Sequence, residues 1–177
     1  MDLAKLEEKL QELPLYEYAF LPTEDLVFTD RVRYICEQEC PMYNKSWACP
    51  PAVGTVAECE ARCRKYPNFL LVSTISEISD IANMEEALAT RKPHEELTRE
   101  IRDLLQAECE ETYVLSTEAC AFCEHCAWPD KPCVHPDKMF PCVESHGILV
   151  TDLAEKRGLE FLCAPNLVTW YSLIFYR

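Results

Sequence analysis

Four cysteines crowd one short stretch of the sequence. In "ACAFCEHCAWPDKPCVHP", residues 119–136, Cys120, Cys123 and Cys126 recur at every third position and Cys133 follows after six more residues. Thiols at this spacing hold metal, do redox chemistry or pair as disulfides. A single zinc ion draws four ligands to about 2.3 Å from one point, and its usual signature is two separated CxxC knuckles. A triple CxxCxxC crowds three thiolates around one tetrahedral centre. A cubane fits it better, because each thiolate can take a different iron corner, as in the bacterial run C-x2-C-x2-C-x3-C-P. Here the fourth thiol is Cys133 and the proline is Pro136. The spacing favours a [4Fe–4S] cluster, with zinc as the alternative.

A second group, Cys36, Cys40 and Cys49, reads C-x3-C-x8-C and exits through Pro50-Pro51. It supplies three thiolates. The fourth corner of a centre there falls to Cys59, Cys63, Cys142 or Cys163, to a small molecule, or to solvent. An open corner would let a cluster act as a Lewis acid on a small substrate. Cys59 and Cys63 lie four apart on an apolar helical face, where cysteine serves as a small core residue, and Cys163 in "LEFLCAPN" reads the same way. Trp47, inside the first loop, is suited to screening a cluster from water. His125 is expected at the surface. His135 and His146 are weak candidates for an acid or a cap on a cluster sulfide, and Glu144 with His146 reads as a solvated pair.

The rest of the composition narrows the setting. The chain has 177 residues, 17 Lys+Arg against 31 Asp+Glu, and a net charge of −14. Such a surface repels nucleic acid and anionic membranes. The opening "MDLAKLEEKLQELP" carries no apolar h-region, and no run of about 18 apolar residues exists to span a bilayer. The expectation is a cytoplasmic protein. Twelve cysteines in a reducing compartment argue for metal over a disulfide framework.

The elements that must position these loops follow from periodicity. Leu3, Leu6, Leu10 and Leu13 predict a helix stopped by Pro14, and "LYEYAF" alternates as a strand. "DLVFTDRVRYI" reads as one or two further strands with a break near Thr29-Asp30, leading Ile35 directly into Cys36. Thr55 and Glu58 form a capping box, and the helix it opens carries Val56, Cys59, Cys63 and Tyr66 on one face. "FLLVST" is a buried strand. Residues 80–110 predict two helical pieces, because Pro93 suits a first turn, with Leu97, Ile101, Leu104 and Leu105 as the core stripe. Glu108, Glu110 and Glu111 close that helix toward solvent. "TYVLS", "GILV", a short helix ending near Gly158 and the strand "LVTWYSLIFY" complete the pattern. Helices and strands interleave, which predicts an α/β fold: a single domain over residues 1–177, a mixed β-sheet flanked by helices, two cysteine-rich metal-binding loops, and residues 1–29 as a helix-and-strand arm. The chain holds three glycines, and none builds a phosphate-cradling loop.

Two motifs in this order, "CEQECPMYNKSWACPP" and "CAFCEHCAWPDKPCVHPDKMFPCVESHGILV", resemble the DUF2284 family of predicted metal-binding proteins, largely from anaerobes. The resemblance runs from about residue 30 to the C-terminus. It rests on Cys36, Cys40, Trp47, Cys49, Pro50 and Pro51, then on Cys120, Cys123, Cys126, Cys133, Pro136, Pro141, Glu144 and Gly147. Cys142 stands where a serine is more usual and offers an extra ligand. "STEAC" replaces a glycine-rich approach to Cys120. The resemblance implies a metal site and no defined catalysis. Taken with the cysteine spacing, it leads to the expectation of two [4Fe–4S] clusters in electron transfer or as an accessory of an anaerobic redox system. The alternatives are an open-site enzyme and a zinc-stabilised interaction module. A redox protein or a small substrate is the expected partner, and a homo-oligomer is compatible with the sequence.

Overall fold

The computed structural model describes residues 3–160 and 164–177. Cys163 lies outside the described residues. Six α-helices and four strands alternate: α1 (Leu3–Gln11), β1 (Glu17–Pro22), α2 (Asp30–Glu39), α3 (Val56–Cys63), β2 (Asn68–Glu77), α4 (Met84–Ala89), α5 (Arg91–Gln106), β3 (Thr112–Leu115), α6 (Val150–Arg157) and β4 (Leu167–Tyr176). Short 3-10 turns occupy Thr23–Asp25 and Glu144–His146.

The strands form one sheet in the order β1-β2-β4-β3. The α/β class expected from the pattern stands. The sheet, expected to be mixed, is antiparallel in all its pairings, and parallel pairing is found at the isolated bridge between Ser116 and Cys142. The central pair is the long one, running from Asn68 opposite Tyr176 to Glu77 opposite Leu167. Successive side chains of a strand point to opposite faces, and β2 buries both. Phe69 and Leu71 join Cys63, Tyr66, Leu153, Leu173 and Phe175 on one face, covered by α3 and α6. Leu70 and Val72 join Leu6, Leu10, Ile101, Leu105 and Ile174 on the other, covered by α1 and α5. A strand covered on both sides reads as an unbroken apolar run, which is how "FLLVST" reads.

One element corrects the expectation. "DRVRYI" is helix α2, not strand, so Cys36 does not follow a strand: it sits in the helix, and Cys40 is its C-cap. Thr29 caps the start, its Oγ1 accepting from Arg31 N at 3.2 Å. The buried stripe of α2 is Arg33 and Cys36. Arg33 is stable there because its guanidinium donates to Gly54 O at 2.7 Å and to Ser145 O. Burying a charge in this way needs such partners. The helix is thereby tied to the exit of the first cysteine loop and to the turn after Cys142.

α3 begins as the sequence predicts. Thr55 Oγ1 accepts from Glu58 N at 3.2 Å, and Thr55 N donates to Glu58 Oε2 at 2.8 Å. Cys59 and Cys63 are fully buried beneath it, so they serve as core. Thr55→Ala removes half of this box and should cost about 1 kcal/mol, which is about 2–4 °C in Tm for a chain of this size. An unchanged melting temperature would mean the box does not hold α3. Gly147 is required where it stands. Its φ is +72°, and an added Cβ would meet Thr29 O at 2.9 Å and Val56 Cγ1 at 3.0 Å. Among the described residues, no helix is long and apolar enough to cross a membrane.

Candidate metal centres

Both cysteine loops gather at the end of β3. Beyond Leu115 the chain continues through Ser116, whose N donates to Pro141 O at 3.0 Å and whose O accepts from Val143 N at 2.9 Å. Cys142 N donates to Ala48 O at 3.3 Å. Cys142 is thus clamped between the first loop and the extension of β3, although 93 residues separate it from Cys49.

The consequence is a cavity of about 360 Å³ lined by Cys36, Cys40, Cys49 and Cys142. Sequence spacing left the fourth position of this group open, and the fold brings Cys142 to it. Burial holds the Cys36 thiol up at about 11, helped by the neighbouring Cys40. Cys142 and Cys49 share a hydrogen bond that lowers Cys49 and raises Cys142. Of these two, Cys49 is therefore the one that loses its proton more easily.

Three glutamates line the same cavity, Glu39, Glu118 and Glu144. Glu118 holds φ at +52°, a conformation that costs a residue with a Cβ about 1 kcal/mol or more. Glu144 Oε2 is enclosed and has no hydrogen-bond partner among the described residues. Burial pushes the Glu144 carboxyl up to about 7, and the Glu118 charge adds to it. Glu144 and His146 are therefore not a solvated pair. His146 is fully buried, bonded to Tyr113 Oη at 2.7 Å and close to Cys142 O at 3.3 Å. Burial lowers it to about 3, so it stays neutral at ordinary pH.

The second group surrounds its own cavity of about 480 Å³, lined by Cys120, Cys123, Cys126 and Cys133. Burial raises the Cys120 thiol, while Cys126 is exposed. His125 lies exposed at the rim. His135 packs edge-on against Phe122 at 4.9 Å.

The two cavities are neighbours with shared walls. In the first loop Pro41, Tyr43 and Cys49 line one while Met42, Lys45 and Ser46 line the other. In the second, Glu118 and Ala119 line one while Cys120 and Ala121 line the other. Trp47 and Trp128 lock the loops together, edge to face with ring centres 4.7 Å apart. Each indole donates across the junction, Trp47 Nε1 to Lys131 O at 3.0 Å and Trp128 Nε1 to Asn44 O at 3.1 Å. Trp47, expected as a screen, lines neither cavity and acts as a clasp.

Among the described residues no three His, Cys, Asp or Glu side chains converge closely enough to ligate one ion. Eight thiols nevertheless divide into two sets of four around two cavities. Cysteine sulfur is the donor that zinc and iron–sulfur clusters prefer, so the residues present fit such a group. A family model described as a predicted metal-binding protein, DUF2284, matches residues 19–176. The chain belongs to the DUF2284 family. No curated protein and no solved structure matches it. Both cysteine loops and Cys142 fall inside the DUF2284 match, as do all four strands apart from the first two residues of β1.

Proposed function

We propose that this DUF2284 chain is an iron–sulfur protein with two centres. Cys36, Cys40, Cys49 and Cys142 would hold one, and Cys120, Cys123, Cys126 and Cys133 the other. What carries the reading is the division of eight thiols into two adjacent sets of four, each around a cavity of several hundred cubic ångströms. One zinc ion keeps its four sulfurs roughly 3.8 Å apart, whereas a cubane spreads them over its corners. Such a cluster supplies one-electron chemistry. The chain's own part is to hold each set of thiolates, to keep the two sites on opposite sides of shared walls, and to limit water at the inner one.

With four thiolates at each site no corner is left for a substrate, so electron transfer to a redox partner fits better than Lewis-acid catalysis.

Anaerobic purification followed by iron, acid-labile sulfide and zinc analysis tests the reading. Iron and sulfide in equal amounts are expected. Cys123→Ser should remove about half of both and leave the rest in place. Stoichiometric zinc without sulfide would replace this reading with a structural zinc module, and unchanged metal content in Cys123→Ser would defeat the assignment of that site.

A further inference from the structure

The residues that line the two cavities differ in charge, while behind the linings Arg33 acts on Cys36 and Glu95 and Arg99 act on Cys120. Arg91 and Lys45 line the one at Cys120, where the only lining carboxylate is Glu124. Glu39, Glu118 and Glu144 line the other, and no Lys, Arg or His does. The contrast is local, because the chain as a whole is strongly acidic at −14.

Arg91 is the distinctive member. It is the first residue of α5 and only half-buried, yet its Nε is enclosed and bonds to nothing among the described residues. Arg99 Nε is also enclosed and unbonded, but the guanidiniums elsewhere around this loop are engaged through their other nitrogens. Arg99 pairs with Glu95 at 2.9 Å, and Arg102 with Asp103 at 2.7 Å. A permanently charged guanidinium with five donors faces a cavity walled by four thiols and is not paired by the protein. Desolvating part of such a group without a partner is costly, unless an anion stands opposite it. Four thiolates around a cluster make a net anion, and its charge grows by one on reduction.

We propose that Arg91 is the counter-charge of the centre at Cys120, Cys123, Cys126 and Cys133, and that the two centres are consequently unequal, this one being the easier to reduce. The inference rests on the iron–sulfur reading above. Net charge around a cluster and hydrogen bonds to its sulfurs both set its potential. A nearby cation favours the more negative, reduced state, and nearby carboxylates oppose it. Each reduction adds one electron from an external one-electron donor and transfers no atom.

The test is an anaerobic redox titration of the purified protein with dithionite, followed by electron paramagnetic resonance. Cys123→Ser identifies which signal belongs to the Cys120 centre. In the unaltered protein that signal should develop first. In Arg91→Gln its midpoint should fall, by 59 mV for each tenfold loss in the ratio of reduced to oxidised centre at fixed poise. The other signal should stay in place. Arg91→Lys should restore most of the shift, because it restores the charge, and iron content should be the same in all three proteins. A purely structural Arg91 would lose iron without a selective change in potential, and that result overturns the proposal. Equal midpoints in the unaltered protein, or an Arg91→Gln midpoint that does not move, overturn it as well while leaving the iron–sulfur reading intact. A protein with no reducible centre overturns both.

Discussion

Cys142→Ala should leave a folded protein that keeps about half of its iron when handled in air, with the loss confined to the centre at Cys36, Cys40 and Cys49. Cys142 is the one thiol at that cavity contributed from outside residues 36–49. Its backbone is placed independently of its sulfur, through Cys142 N to Ala48 O at 3.3 Å and Val143 N to Ser116 O at 2.9 Å. The substitution also removes the sulfur that accepts from Ser145 N at 3.2 Å. Losing that acceptor costs about 1 kcal/mol, far short of unfolding the domain. Three thiolates remain, so a centre assembled anaerobically should persist until oxygen reaches its unprotected corner. Cys59→Ala, which removes a sulfur from the core under α3, should retain both centres. A Cys142→Ala protein with full iron content that survives air as the parent does would remove Cys142 from the site.

Acidification should destabilise the fold well before carboxylates account for it, and His94 is the reason. Its ring is buried on α5 between Thr74 Oγ1 and Ser172 Oγ, each 2.8 Å away. Ser172 also bonds Thr98 Oγ1 at 2.9 Å and Ser116 Oγ at 3.1 Å, so the polar cluster is satisfied by a neutral imidazole. Burial lowers His94 from 6.5 to about 4. The unfolded chain therefore binds the proton first, and stability rises with pH across that interval. The contribution is complete above pH 6.5 and is lost as the pH falls toward 4. A span of 2.5 pH units, at about 1.4 kcal/mol each, amounts to about 3 kcal/mol, or about 6–12 °C in Tm. Buried His146 acts in the same direction, and Glu144, whose carboxyl is raised to about 7, acts in the opposite one, so that the two histidines together outweigh it. The difference between the parent and His94→Gln in denaturant unfolding, followed from pH 7 to pH 4, isolates the His94 share. Parallel pH profiles for the two proteins would show that His94 is not the titrating group.

Most of the fold was legible where local signals agreed with burial. The capping box at Thr55, the Pro93 break between α4 and α5, and the apolar runs of β2 and β4 each say in a few residues what the structure repeats. α2 was misread because its buried stripe is Arg33 and Cys36 while Tyr34 and Ile35 are exposed. An exposed Tyr-Ile pair imitates a strand, and a buried arginine breaks the apolar period a helix should show. The Thr29 cap was present in the sequence. The only reason to weigh it above the pattern lies in Gly54 and Ser145, the distant carbonyls that receive Arg33. The grouping of seven cysteines into two sets was equally legible, because their spacing is local. That Cys142, among the several candidates, lines the cavity of the first group was not, since this depends on β3 carrying the chain back beside Ala48. The burial of His146 and the enclosure of Glu144 Oε2 have the same tertiary origin.

The clamp at Cys142 also imposes an order in time. Cys36, Cys40 and Cys49 leave the ribosome 106, 102 and 93 residues before Cys142, which at 5–20 residues per second is about 5–20 s. Through that interval three thiols wait without their fourth, without the β3 extension that walls them in, and without the Trp128 indole that closes the clasp. A nascent chain in this state can be oxidised or can scavenge the wrong ion. On the iron–sulfur reading proposed above, loading of the first site would be a late event in the life of each molecule, and a translation product that stops short of Cys142 would carry three thiols without the fourth.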